Sequence, residues 1–439
     1  MKKLCKTLSG TLFVLALVAG VSSCGGSSSG DSELGDKKNS VVKIMFHVDS
    51  KSEEGKAYKK RIDAFNQAYA GQGIKASASY IARTTGASAY ETDLMNKQVE
   101  GTLPDIITYD APNCASYAKS GLLYDITDLV PKEVRNDFIS TNEYDGKLYG
   151  LPIQESSAGF YYNKNLFREA GIDVSSYTVE NPWTFDQFKD VCRLLKDKGT
   201  VKFPVDMRLD ATKDETATYM LYSFIYAAGG DFISEDGYTA KGYFDSAETA
   251  DGFRFIKDLI DASYTSYSIG ATDFFDGKVG MYLSSGWTIP DLDNKYPSTF
   301  PSRDSWGLLP YPKGVTSASA TGSWCFGVTN NGNKDKSAAK ELLLWLTSTE
   351  SSKAITDATG MIPARKSVET AYEANSPEDV LMKQLQLTGK ARPNTVGYPK
   401  FTTCFNQIIA ELNDGDIATI LNTKTLSLQS ELDKLKNQK

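Results

Sequence analysis

An α/β fold divided into two domains is what the sequence predicts, on three observations. Strand-like and helix-like patterns alternate through residues 41–123, which argues for a largely parallel sheet flanked by helices. The chain has 439 residues, above the ~250–300 at which a single core stops growing. After Pro152 the helical content rises, consistent with a second unit there. Residues 41–48 (VVKIMFHV) form a compact apolar run that reads as a buried strand. Residues 51–70 read as a helix, with Tyr58, Ile62, Phe65 and Tyr69 recurring at three- and four-residue steps. Residues 74–81 alternate as a second strand, and residues 91–99 give a helix stopped by Gly101 with Pro104 beyond. Residues 105–109 make a short strand, and residues 117–123 a helix ended by Gly121. Further on, Thr184 and Gln187 form a capping box that opens a helix with the stripe Phe185, Phe188, Val191/Cys192 and Leu195. Residues 253–259, 338–346 and 405–435 read as helices, and residues 280–284 and 325–329 as strands. No repeat of fixed period is visible.

The N-terminus has its own logic. Lys2, Lys3 and Lys6 precede an apolar run over residues 8–20 and then small residues, the pattern of a secretory signal. The run is too short for a bilayer span, which needs roughly 20 apolar residues. Ending in Val21-Ser22-Ser23-Cys24, it resembles a bacterial lipoprotein signal. That resemblance implies removal of residues 1–23 and a diacylglycerol on the Cys24 sulfur, with several acyl chains anchoring stably where one is marginal. Residues 24–40 then comprise the lipidated cysteine and a Gly/Ser-rich tether, a composition that behaves as flexible chain. No later stretch approaches 18 consecutive apolar residues.

The formal net charge of −7 includes the three signal lysines, so the mature part is more acidic still. With no long basic run, nucleic acid is not an expected partner. Cys114, Cys192, Cys325 and Cys404 are scattered without a C-x-x-C pair, so no zinc or redox spacing is present. They allow three disulfide pairings or four buried thiols. Cys192, inside an apolar helical pattern, favours the thiol reading.

Several strings, taken in order, carry a family resemblance. They are Leu103-Pro104-Asp105-Ile106-Ile107, residues 117–123 (YAKSGLL), residues 144–152 (YDGKLYGLP), residues 161–167 (YYNKNLF), Pro182-Trp183-Thr184, residues 275–281 (FDGKVGM) with Ser285-Gly286-Trp287, and Gly360-Met361-Ile362-Pro363-Ala364-Arg365. Together these resemble the solute-binding proteins of sugar ABC importers, the maltose-binding-protein-like group. The resemblance implies a two-lobed periplasmic-binding-protein-like fold with a ligand cleft between lobes and two or three hinge crossovers. The chain is then expected to pass to the second lobe near 151–157, return near 310–325 and cross again near 362–370. The expected lobes are residues 41–152 with 311–365, and residues 153–310 with 366–439. Ligands favour the carboxyl ends of strands in open α/β sheets and inter-domain clefts. The implied partners are a carbohydrate and the transmembrane subunits of a permease; the implied state is a lipid-anchored monomer outside the cytoplasmic membrane, with no cofactor, no metal and no catalysis.

A sugar presents C–H patches and a perimeter of hydroxyls, so its site needs flat aromatics and directional hydrogen-bonding groups. With 24 Tyr, 20 Phe and 5 Trp in the chain, position must decide among the aromatics. Trp287 leads, because it follows a strand directly on a Ser-Ser-Gly loop and the family places a stacking ring there. Tyr109 and Asp110 close the third strand at its carboxyl end. Gln154, Glu155 and Ser156 fall on the first crossover, and Trp324 leads into the returning strand. Tyr219 aligns with a ligand-facing aromatic, against the competing reading of core packing in a run with Tyr222 and Tyr226. His47, the single histidine, and Asp49 end the first strand; Arg392 and Tyr398 lie in the irregular segment 390–400. Arg365 reads as structural. The chain departs from maltose-binding protein where Pro112 and Ser156 replace two ligand carboxylates, with Asp110 and Glu155 as neighbours that stand in. The sugar class is implied; maltose specificity is not.

Rival readings find less support in the same residues. A glycosidase needs two carboxylates about 5–10 Å apart, and no specific pair is marked. A His-Glu-x-x-His metallopeptidase is excluded by the single histidine. Residues 26–30 (GSSSG) match a nucleophile elbow with no strand before them, and residues 71–76 (GQGIKA) imitate a dinucleotide fingerprint in the wrong structural order. A surface adhesin predicts no small-molecule stabilisation. A phosphorylated polyol would want convergent cations, and only Arg392 and Arg83 stand near the cleft segments.

Overall fold

A computed structural model describes residues 40–83 and 89–438. The signal, Cys24 and the tether through residue 39 lie outside the described residues. Eleven strands are present among them: β1 (Ser40–Phe46), β2 (Ile74–Tyr80), β3 (Ile106–Asp110), β4 (Asn142–Tyr144), β5 (Lys147–Asn163), β6 (Phe203–Asp206), β7 (Val279–Ser285), β8 (Trp306–Leu309), β9 (Ser319–Val328), β10 (Ile362–Pro363) and β11 (Gly389–Lys390). The main order is β2-β1-β3-β9-β5-β7-β6. β1 pairs in parallel with β2 and β3, and β6 with β7, whereas β9 and β5 join antiparallel to their neighbours. The sheet is therefore mixed where alternation alone predicted a largely parallel one, because the chain returns to it through long strands.

Those long strands join two halves. Leu151 to Ser157 of β5 pair with β9, while Ala158 to Tyr162 pair with β7, so one continuous strand leaves the first half and enters the second. Apolar contacts divide at the same place. Val42, Ile44, Phe46, Phe65, Ile153, Phe326 and Leu342 share one core. Ala158, Phe160, Phe188, Phe224, Tyr311, Ala320, Phe401 and Phe405 share another. Residues 311–320 thus remain with the second core, and the return falls on β9 between Ala320 and Phe326. The third passage follows β10, whose Ile362 faces Glu155 of β5. On β1 the period-2 alternation is explicit: Ile44 and Phe46 face one core and Met45 the opposite one. Each fully buried Phe or Ile contributes ~1.5–3 kcal/mol through removal from water.

Local chemistry explains the helix ends. Thr184 accepts from the Gln187 N–H, and Gln187 reaches back to the Thr184 N–H, the reciprocal bonding expected for helix Phe185–Lys198. The helix expected over residues 117–123 instead spans Cys114–Lys119. The expected C-terminal helix is two, Tyr398–Glu411 and Ile417–Asn437, since Asp416 caps a new start by accepting from Thr419 N–H. Cys114, Cys192, Cys325 and Cys404 are all buried free thiols. Among the described residues no helix is long and apolar enough to cross a membrane.

Candidate functional site

A cavity of about 600 Å³ opens where the two halves face each other, within the ~300–1,000 Å³ typical of small-molecule sites. The first half supplies His47, Asp49, Glu54, Arg83 and Asp110; the second supplies Glu215, Tyr219, Trp287 and Arg392; the connecting strands supply Gln154, Ser156, Gly322 and Trp324.

On the first half, β1 ends at Phe46 and His47 turns into the gap. Its N–H donates to Thr108 Oγ1 at 3.0 Å, and its Nδ1 lies 3.0 Å from the same oxygen. The imidazole stacks on Trp324 with centroids 3.4 Å apart and planes 5° from parallel. Burial, aided by the Arg83 charge, holds the imidazole well below its ordinary pKa, so it is neutral. The Arg83 guanidinium lies 4.9 Å over the Trp324 ring, and its Nε is 3.3 Å from Glu91. Trp324 is thus braced by two protein groups. Glu54, in the first turn of helix Glu53–Ala68, has a raised pKa because burial outweighs the hydrogen bonds from Tyr58 and Gln154.

On the second half, Tyr219 belongs to helix Glu215–Ala227. Ser156 Oγ donates to the Gly322 carbonyl at 2.7 Å, which leaves the Tyr219 hydroxyl as the donor in their 2.7 Å contact. Trp287 sits on the short turn after β7, 43% exposed, its ring 6.0 Å from Tyr219 and tilted by 41°. An exposed indole inside a cavity is a flat apolar surface without a protein partner covering it.

Between the halves, Arg392 makes a bidentate pair with Asp110, Nη1 to Oδ2 at 2.8 Å and Nη2 to Oδ1 at 2.7 Å. Nη1 also donates to Glu215 Oε1 at 2.7 Å. Glu215 accepts from Tyr398 and, at 2.8 Å, from Thr402. Burial raises the Glu215 pKa, against the opposing pull of Arg392.

Of the residues singled out from sequence, His47, Asp49, Asp110, Gln154, Ser156, Tyr219, Trp287, Trp324 and Arg392 line the cavity. Three do not. Glu155 alternates with Gln154 and Ser156 on β5, so it faces away, buried against Ser140. Tyr109 precedes Asp110 on β3 and for the same reason points into a core with Cys114, Tyr117 and Cys325. A Cβ at Gly150 would stand 2.1 Å from the Tyr109 hydroxyl, which shows how tightly that ring is enclosed. Tyr398 lies behind the cavity wall and acts through Glu215. Arg365 is structural, pairing with Asp137 at 3.0 Å. Glu54, Glu215 and Gly322 were missed, and Arg83, noted from sequence only as a cation near the cleft, lines the cavity. Glu54 and Glu215 read only as acidic residues in helix first turns, a favourable place for them anywhere.

The sequence profile described as bacterial extracellular solute-binding protein matches residues 60–384. A Brucella abortus (strain 2308) protein, named only as a binding protein, is 29% identical over 238 residues, 52% of this chain and 54% of its own length. This chain therefore spans about half the length of the Brucella relatives it matches. The galactooligosaccharide-binding protein of Bacillus subtilis (strain 168) is 25% identical over 298 residues, 65% of each chain. Among solved structures, the cyclic alpha-maltosyl-1,6-maltose binding protein of Arthrobacter globiformis superposes with a TM-score of 0.74 at 24% identity, covering 90% of this chain and 99% of its own. That likeness shows a shared two-lobed fold.

Proposed function

This chain belongs to the bacterial extracellular solute-binding protein family, and from that premise we propose that its cleft captures a mono- or oligosaccharide for an ABC-type importer. The observation that carries the reading is the cavity wall itself. It combines the uncovered Trp287 indole with Tyr219, and sets them opposite short polar side chains on β5 and β9. Flat aromatics meet the C–H faces of a sugar, while Gln154, Ser156 and Ser323 meet its hydroxyls. The names of the Bacillus and Arthrobacter relatives point the same way.

The working cycle follows from the two halves. A saccharide that touches both halves only when they approach stabilises the closed arrangement through that differential affinity. The closed protein then presents the sugar to a permease, and the chain itself carries out no bond chemistry. Cys24 with its acyl chains holds the protein at the outer face of the membrane, and the two lobes exchange chain within β5, β9 and β10.

A phosphorylated polyol is the alternative solute. Of the cations lining the cavity, Arg392 already has Asp110 and Glu215 on its terminal nitrogens, Arg83 pairs with Glu91 and Lys295 with Asp291, which favours an uncharged sugar. Thermal-shift measurement against a saccharide panel that includes glycerol phosphates tests the reading, because selective binding to the native state raises the melting temperature. Stabilisation by at least one saccharide is expected. Stabilisation by the phosphorylated polyols alone, or by nothing in the panel, overturns it.

A further inference from the structure

We infer that His47 Nε2 and Glu54 Oε1 form a hydroxyl-reading pair on the first half, an assignment that rests on the saccharide reading. One hydroxyl of the sugar accepts from the imidazole N–H and donates to the carboxylate. Both residues line the cavity. His47 follows β1, and Glu54 lies in the first turn of helix Glu53–Ala68. Nε2 stands 3.8 Å from Oε1, too far for a direct hydrogen bond yet close enough for one oxygen to lie ~2.8 Å from each.

The rest of the imidazole is engaged by protein. It stacks on Trp324, and Tyr90 packs at 6.2 Å with its plane turned by 80°. Nδ1 lies 3.0 Å from Thr108 Oγ1. That hydroxyl accepts from the His47 N–H and has a single hydrogen to give. Nδ1 is its nearest acceptor, since the Met45 carbonyl and the Tyr90 hydroxyl are both 3.4 Å away. In the neutral ring the proton then sits on Nε2, which has no hydrogen-bond partner among the described residues. Glu54 is held as firmly: Oε1 accepts from the Tyr58 hydroxyl at 2.5 Å, and a carboxylate oxygen takes a second donor. A donor beside an acceptor suits a hydroxyl, which is both. An ether oxygen or a phosphate dianion has no hydrogen for Glu54. Trp324 offers the sugar no face of its own, because Arg83 at 4.9 Å takes the one His47 leaves free. The first half thus reads hydroxyl direction, while Trp287 on the second half meets the ring face.

His47 is the single histidine of the chain, so isotope labelling of histidine nitrogen gives one imidazole to observe by magnetic resonance. With no sugar added, the expected result at pH 7 is a neutral ring protonated on Nε2. Protonation on Nδ1, or on both nitrogens, overturns the pair. Calorimetry follows with the saccharide that raises the parent's melting temperature most, from a panel that includes maltose and galactobiose. His47→Asn keeps an amide at the Nδ1 position and removes Nε2; it is expected to weaken binding at least ~tenfold. His47→Gln, whose amide reaches the Nε2 position, is expected to lose less. A cooperative melt checks folding in each variant. Parent affinity in His47→Asn, or a greater loss in His47→Gln, overturns the pair and leaves the sugar reading standing. A panel with no stabilising saccharide overturns the sugar reading itself, a result distinct from either failure of the pair.

Discussion

Gly286 and Gly360 meet backbone to backbone: a Cβ on Gly286 would stand 2.2 Å from the Gly360 carbonyl oxygen, and one on Gly360 2.6 Å from the Gly286 oxygen. Gly286 begins the turn that carries Trp287, and Gly360, at φ +69°, caps helix Thr349–Thr359 of the first half. The contact thus seats the cleft's exposed indole against the opposite half. Gly286→Ala cannot be absorbed by a side-chain rotation, because the obstructing atoms are backbone. Such overpacking costs about 1–3 kcal/mol. We expect the turn to lift and sugar affinity, measured by calorimetry, to fall by roughly tenfold or more. Wild-type affinity in that variant would show that the glycine pair does not seat Trp287.

Trp287→Ala separates binding from folding. The indole is 43% exposed and belongs to none of the apolar cores, so its removal leaves no cavity and the empty protein should melt within about a degree of the parent. Loss of aromatic stacking and of the apolar area a sugar would cover should weaken binding at least ~tenfold. A large drop in melting temperature without sugar would place Trp287 in the structural frame instead.

What could be read from sequence was local, and what could not was long-range. The Thr184–Gln187 capping box is legible because two residues three positions apart define it. The break between the last two helices was written in Asn413-Asp414-Gly415-Asp416, a turn-and-cap signal overlooked inside a longer apolar period. Strand-end placement found the cavity segments, yet on Gln154-Glu155-Ser156 all three residues are polar, so no alternation tells which faces inward. Only pairing with β9 and β10 decides it. Arg392 was visible as a cation near the cleft, but its partners lie 282 and 177 residues away. Nothing in local pattern announces a contact of that span.

The four buried thiols give a redox prediction. Burial raises the pKa of Cys114, to about 11, and of Cys192, Cys325 and Cys404, so little thiolate is available for oxidation in the folded state. A reductant such as dithiothreitol should leave the melting temperature unchanged, and a thiol reagent should react with these four only on unfolding. A fall in melting temperature on reduction would reveal a disulfide.

Glu155 supplies the pH dependence. It is buried where β5, β9 and β10 meet, and desolvation lifts its pKa to about 7, opposed by the Ser140 hydroxyl. The unfolded carboxyl titrates near its ordinary value of ~4.3. Between these two values the folded state holds a proton that the unfolded state has released. The slope of stability with pH is then negative: stability is full below the unfolded pKa, declines as pH rises and levels off above about 7. The total loss is on the order of 3 kcal/mol. Glu155→Gln removes the ionisable group while its amide keeps the shape, and Ser140 turns to accept. We expect the variant to match the parent at pH 4 and to melt several degrees higher at pH 8, read by thermal denaturation at both. Equal differences at the two pH values would mean that folding leaves the Glu155 pKa near its ordinary value, because another group balances its charge on the crossover strand.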